Sequence, residues 1–194
     1  LALAQWLKPF LPPGKDRPEA DDLERGDERL RRFAPRGAML RADLIKGREY
    51  LTKLEKAEPD KKPDRDLHLE TLGAVLKREV PLIISADRHQ DITAALRLQT
   101  EFGFRLVLDS AAEAYLLLDP IKASGVPVIV HPVMARAEGD RENLTFTLPA
   151  KLQAAGIPFA FQSGYEAYVP KTRVVLFEAA MAAAHGLPVP QALA

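Results

Sequence analysis

Ser85, Asp87 and Arg88, Asp109 and Ser110, His131, and the stretch from Gln162 through Tyr165 to Glu166 are the residues whose types and placement could do chemistry. Asp109 is the best candidate for a general base or a lone metal ligand. His131 is the second catalytic candidate, as a substrate or metal contact, against the plainer reading of a hydrogen-bonded residue at a strand end. Ser85, Asp87, Arg88, Ser110, Gln162, Tyr165 and Glu166 read as a substrate-binding set. Asp87 with Arg88 could clamp a substrate, and an aspartate there could equally cap the helix that follows. Lys171-Thr172-Arg173 can simply begin the last helix.

These residues matter because of where the chain must put them. Val80-Pro-Leu-Ile-Ile-Ser85, Phe104-Arg-Leu-Val-Leu108, Val126-Pro-Val-Ile-Val-His131 and Ile157-Pro-Phe-Ala-Phe-Gln162 are unalternating apolar runs. Such runs suit strands covered on both faces or closed into a barrel. Helical patterns follow them at about residues 88–101, 111–123, 149–155 and 173–184, so the spacing predicts a parallel α/β sheet of βα repeats. Gly103, Gly125 and Gly156 each stand between a helix and the next strand, where a left-handed cap is wanted. In such folds chemistry gathers at the carboxyl ends of the strands, where the candidate residues fall.

Ahead of this stretch the pattern changes. Leu1-Ala-Leu-Ala-Gln-Trp-Leu7 is a short apolar helix candidate with Trp6 as a packing residue, and residues 14–36 are highly charged, with a helix candidate at 21–33. We read residues 1–36 as a helical, charged segment and 37–194 as the domain. Met39, Leu40, Leu44, Tyr50, Leu51 and Leu54 predict an amphipathic helix over 37–57, and Leu67 to Lys77 predicts another.

Composition excludes several classes of function. Equal counts of 27 basic and 27 acidic residues leave no net charge to attract nucleic acid or an anionic membrane. No apolar run approaches the roughly 20 residues that span a bilayer, so a soluble protein of cytoplasm or periplasm is expected. The absence of cysteine rules out disulfides, thiolate metal sites and a thiol nucleophile in this sequence. Neither GxGxxG nor GxxxxGK[ST] occurs, and Gln162-Ser163-Gly164 lacks the first glycine of a GxSxG elbow.

The run Pro81-Leu-Ile-Ile-Ser-Ala-Asp-Arg88 with Asp91-Ile92, Ala94-Ala-Leu-Arg-Leu98, Phe102-Gly103 and Arg105-Leu-Val-Leu108 resembles the second half of amidohydrolase-superfamily barrels of the imidazolonepropionase-like branch. Ala112-Glu-Ala-Tyr115, Gly125-Val-Pro-Val128, Tyr168-Val-Pro-Lys-Thr-Arg173 and Phe177-Glu-Ala179 extend the likeness over residues 67–194. The resemblance implies a (β/α)8 barrel of which this chain holds strands five to eight. It also implies metal-dependent hydrolysis of non-peptide or cyclic C–N bonds, with ligands from an HxH pair, one histidine each on strands five and six, and an aspartate on strand eight. Here those positions fall on Ser85, on Ser110 or by one residue Asp109, and on Gly164, and no HxH occurs. The resemblance therefore implies a degenerate centre, with no metal held by this chain alone and a divalent ion such as zinc only if a missing half completes it.

A complete eightfold barrel needs roughly 200–250 residues, and the charged, helical segment before Val80 does not supply four more βα units. The expected partner is a second half-barrel, from the same gene product, another subunit or self-association, and a small-molecule ligand could sit in the mouth. The chain would then be a segment of a longer product or a processed form. The remaining alternatives are a non-catalytic half-barrel kept for binding or assembly, and an open flavodoxin-like sheet.

Overall fold

The computed structural model describes residues 27–58, 63–166, 169–170 and 172–194, and the side chains among them apart from residues 27–36, 165–166, 169–170 and 172. The apolar run at the start, Trp6 and Lys171 lie outside the described residues. Two compact units are present, one of residues up to Pro81 with Leu98–Phe104, the other of Leu82–Arg97 with Arg105–Ala194.

The first unit contains α1 (Asp27–Lys56) and α2 (Leu67–Leu76). Where the sequence suggests a helix starting at Gly37 and a separate one before it, α1 runs through that glycine without a break. A glycine inside a helix costs about 1 kcal/mol, less than the good helix formers around it supply. Leu44, Tyr50, Leu72 and Val75 make the buried seam. Asp66 caps α2 by accepting from the amides of His68 and Leu69 at 2.9 and 3.0 Å. Gly47 and Gly73 let the two helices approach closely. A Cβ on Gly47 would lie 2.9 Å from Leu72 Cβ, and one on Gly73 would lie 2.9 Å from Leu51 Cδ2.

The second unit is built on β1 (Leu82–Ala86), β2 (Leu106–Ser110), β3 (Val128–Val130) and β4 (Phe159–Ala160), all parallel and ordered β1-β2-β3-β4. Each strand begins later than its apolar run. Pro81, Pro127 and Pro158 carry no N–H to donate. Two of them still accept at the edge of the ladder, Pro127 O from Leu108 N and Pro158 O from Val128 N. The crossovers are α3 (His89–Phe102), α4 (Leu118–Ser124) and α5 (Leu148–Ala155). After the last strand come the short pair β5 (Tyr165–Glu166) and β6 (Val169–Pro170), then α6 (Val175–Ala184) and α7 (Val189–Ala192).

The helix expected over 111–123 is instead a 3-10 turn at Ala114–Leu116 followed by α4. Ser110 and Ala111 both adopt positive φ, 70° and 52°, which breaks any helix starting there. Pro120 is tolerated only within a first helical turn, which fixes the start of α4 near Leu118.

Strand order decides between the two architectures open to the sequence. A flavodoxin-like sheet reverses its order at a switch point, whereas here each strand lies beside the previous one. With the right-handed crossovers usual for such units, the helices fall on one face. The pleat agrees: Leu82, Leu106, Leu108, Val128 and Val130 are at most 4% exposed, while Ile83, Val107, Asp109 and Ile129 on the other face are only half-buried and Ser85 is exposed. This is α/β architecture consistent with part of a TIM-type barrel. Among the described residues no helix is long and apolar enough to cross a membrane.

The α1–α2 approach yields a test. Gly47→Ala should gain about 1 kcal/mol of helix propensity and lose about 1–3 kcal/mol to crowding against Leu72. A lower urea midpoint than wild type is the expected result, and a raised one would show that the helices can part freely.

Candidate functional site

Register brings the first group together. Ser85 pairs with Asp109 across β1 and β2, so both side chains leave the sheet on its half-open face. Ser85 Oγ donates to Asp109 Oδ2 at 2.5 Å. On the far side Ile129 pairs with Ala160, and Gln162, two residues further on, sends Nε2 to Asp109 Oδ1 at 3.0 Å. One carboxylate therefore ties the ends of β1 and β2 to the segment leaving β4.

A second group lies beside it. Ser110 turns away from this face at the strained end of β2 and donates through Oγ to Asp87 Oδ1 at 2.5 Å. The Ala112 amide approaches the same oxygen at 3.4 Å. The His131 amide donates to Ser110 O at 2.7 Å, and its ring Nδ1 donates to Pro132 O at 3.0 Å. Burial raises the Asp87 pKa against the opposing bonds from Ser110 and Ala112. Burial likewise lowers that of His131, which has no solvent exposure, so the imidazole is held neutral.

The third group locks the loops above the strand ends. Glu113, 2% exposed, accepts from Asn143 Nδ2 at 2.7 Å, from the amide and Nδ1 of His89 at 2.8 and 2.7 Å, and from Arg88 at 3.2 Å. Arg88 continues to Glu142 at 2.8 Å and to the Gly139 carbonyl at 2.9 Å. Three successive βα loops are thus fastened around one buried carboxylate. Burial alone would raise the Glu113 pKa; the bonds from Asn143, His89 and Arg88 outweigh it and bring the group down to about 2.

Of the residues singled out from sequence, Ser85, Asp109 and Gln162 come together, as do Asp87, Ser110 and His131. Arg88 belongs to the Glu113 cluster rather than forming a clamp with Asp87. The first amide of α3 is taken by Glu113, not by Asp87. The side chains of Tyr165 and Glu166 lie outside the described residues. Glu113, His89 and Asn143 went unnoticed as a group because their bonds cross 24 to 30 residues. The one local sign was an acid inside the apolar stretch Ala111-Ala-Glu-Ala-Tyr-Leu-Leu-Leu118.

The metal centre implied by the resemblance can be tested against these donors. Serine hydroxyls are poor substitutes for imidazoles around zinc. Gly164, at the aspartate position, has φ 71°, and a Cβ there would lie 2.8 Å from Pro132 Cγ. Among the described residues no group of three or more histidines and carboxylates could hold a metal ion. The residues present do not fit the implied ligand set.

Two carboxyl groups set the pH response. Asp91, buried in the first turn of α3, is pushed up to about 6 by burial and by Asp140. Stability from ionised Glu113 should be complete above about 4.5 and be lost as pH falls toward 2. Folded Asp91 holds its proton more tightly than the unfolded chain, so its contribution should decline as pH rises from about 4 through 6. Urea midpoints across this range should peak near pH 4, and Asp91→Asn should flatten the alkaline side. Glu113→Ala should cost about 3–5 kcal/mol at neutral pH; a loss below about 1 kcal/mol would mean that the loops do not depend on it.

No protein-family model matches this chain, and no curated protein matches it. A solved structure that does match is the crystal structure of an amidohydrolase from Thermotoga maritima MSB8, with 28% sequence identity and a TM-score of 0.75. The match covers 81% of this chain and 41% of the amidohydrolase chain. This chain spans about two fifths of that protein's length, and its fold is amidohydrolase-like.

Proposed function

We propose that this chain is half of an amidohydrolase-like barrel of the imidazolonepropionase-like branch, related to metal-dependent hydrolases of non-peptide and cyclic C–N bonds, whose own metal positions are degenerate. The mouth of the half-barrel works as a binding surface. Hydrolysis, where it occurs, depends on ligands from the remaining βα units, supplied by the same gene product, another subunit or a second copy. Among the described residues no strand pairs with the outer edge of β1 or β4, which supports such a partner, since unpaired edges invite pairing.

Gly164 is the observation that carries this reading. A carboxylate at that position would meet the Pro132 ring and would have to adopt a left-handed backbone. The neighbouring donors support the same reading, because Ser85 and Gln162 spend their hydrogen bonds on Asp109 and hold it as a structural tie. No hydrolytic step is assigned to these residues. Their role in the reading is to shape and polarise the mouth, with Asp109 as its fixed negative charge.

Elemental analysis of protein purified without chelators tests the reading. This chain should carry less than roughly one tenth of an equivalent of zinc, manganese or iron even after metal is offered. Gly164→Asp should leave that figure unchanged while lowering stability by about 1–3 kcal/mol. Stoichiometric metal that disappears in Asp109→Ala would overturn the proposal.

A further inference from the structure

One of the bonds that hold Glu113 comes from a side chain that faces water. His89 Nδ1 lies 2.7 Å from Glu113 Oε2, and the Glu113 side chain is 3% exposed against 45% for that of His89. The donors from Asn143, His89 and Arg88 keep Glu113 ionised at neutral pH, so its oxygens only accept and Nδ1 carries the ring proton. In the neutral imidazole Nε2 then presents a lone pair. No described residue bonds to it.

Fastening the loops does not account for this ring. The His89 amide, Arg88 and Asn143 already bring N–H groups to the same carboxylate at 2.8, 3.2 and 2.7 Å. An exposed partner adds only about 0–1 kcal/mol to such a lock. A carboxylate that fixes one ring nitrogen while the other faces solvent is the arrangement that orients a histidine for proton transfer. His131, by contrast, is closed to solvent, and the His185 ring is stacked on Phe146 at 4.8 Å.

Position agrees with this. His89 opens α3 just past the end of β1, and Glu113 follows the end of β2. The pair therefore stands at the carboxyl ends of the strands, where barrel chemistry is sited. The charges around it are Glu113 itself, Arg88, which shares Glu113, and Glu142, which Arg88 reaches at 2.8 Å.

We propose that His89, positioned by Glu113, acts as a general base that delivers water to activated carboxylic esters. Nε2 takes a proton from water as the water oxygen bonds to the ester carbonyl carbon. The imidazolium returns that proton as the bond to the leaving oxygen breaks, giving a carboxylic acid and an alcohol. The Nδ1 proton stays between the ring and Glu113, whose charge stabilises the imidazolium. This activity goes beyond the half-barrel reading and can fail separately from it, because it needs neither a bound metal nor a second half.

The full chain in excess chelator, with p-nitrophenyl acetate as probe and 4-methylimidazole at equal concentration as reference, tests the activity. Hydrolysis by the protein should exceed the reference roughly tenfold or more and should slow in deuterium oxide, because a proton of water moves as the bond forms. His89→Gln, whose carboxamide can still donate to Glu113, should remove about nine tenths of the rate or more with the urea midpoint unchanged. Glu113→Gln can donate to Nδ1, so the ring proton should move toward Nε2 in long-range proton–nitrogen spectra and the rate should fall with it. A wild-type ring protonated on Nε2, a rate no higher than the reference, a rate insensitive to deuterium oxide, or an undiminished rate in His89→Gln would overturn the proposal.

Discussion

Asp109 stands at the end of β2 with one oxygen held by Ser85 from β1 and the other by Gln162 from beyond β4. Parallel strands have no hairpin to fix their relative ends, and their ladder bonds specify register only along their length. A carboxylate bonded from both sides supplies that fixation where the ladder stops. The same two bonds orient the carboxylate at the mouth, between a hydroxyl and a carboxamide. The half-open face beneath it, with Ile83, Val107 and Ile129, follows from the same register.

Around this tie the loops are fastened by a different kind of interaction. Glu113 is nearly closed to solvent and would be a liability if unpaired. Its four donors from Arg88, His89 and Asn143 make it the anchor of three βα connections. Asp91, in the first turn of α3, meets no comparable donors among the described residues, and the Arg88 charge that would favour its ionised form does not outweigh burial and Asp140. Two buried acids a short distance apart in sequence therefore behave oppositely, and the difference lies in how many donors each one meets.

Much of the architecture was legible in the sequence because it is local. The four apolar runs mark the strands, and Gly125 and Gly156 end α4 and α5 in left-handed conformation. The strand starts were misplaced because a proline inside an apolar run looks like strand yet cannot donate to the ladder. The short helix after Ser110 was hidden because consecutive positive φ values at a serine and an alanine have no sequence signature. The resemblance put the strand-six position at Ser110, or by a one-residue shift at Asp109, and only the register shows that Asp109 is the one paired with Ser85. The Pro132–Gly164 contact and the Glu113 cluster were beyond reach, since both join segments about 30 residues apart.

The central claim is that Asp109 is a structural tie and not a metal ligand, and urea unfolding of Asp109→Ala beside wild type, in chelator and in zinc, tests it most directly. Loss of two hydrogen bonds to a charged group should lower stability by about 2–4 kcal/mol, by the same amount in both buffers. An unchanged midpoint in chelator, or a wild-type advantage that appears only with zinc, would contradict the account.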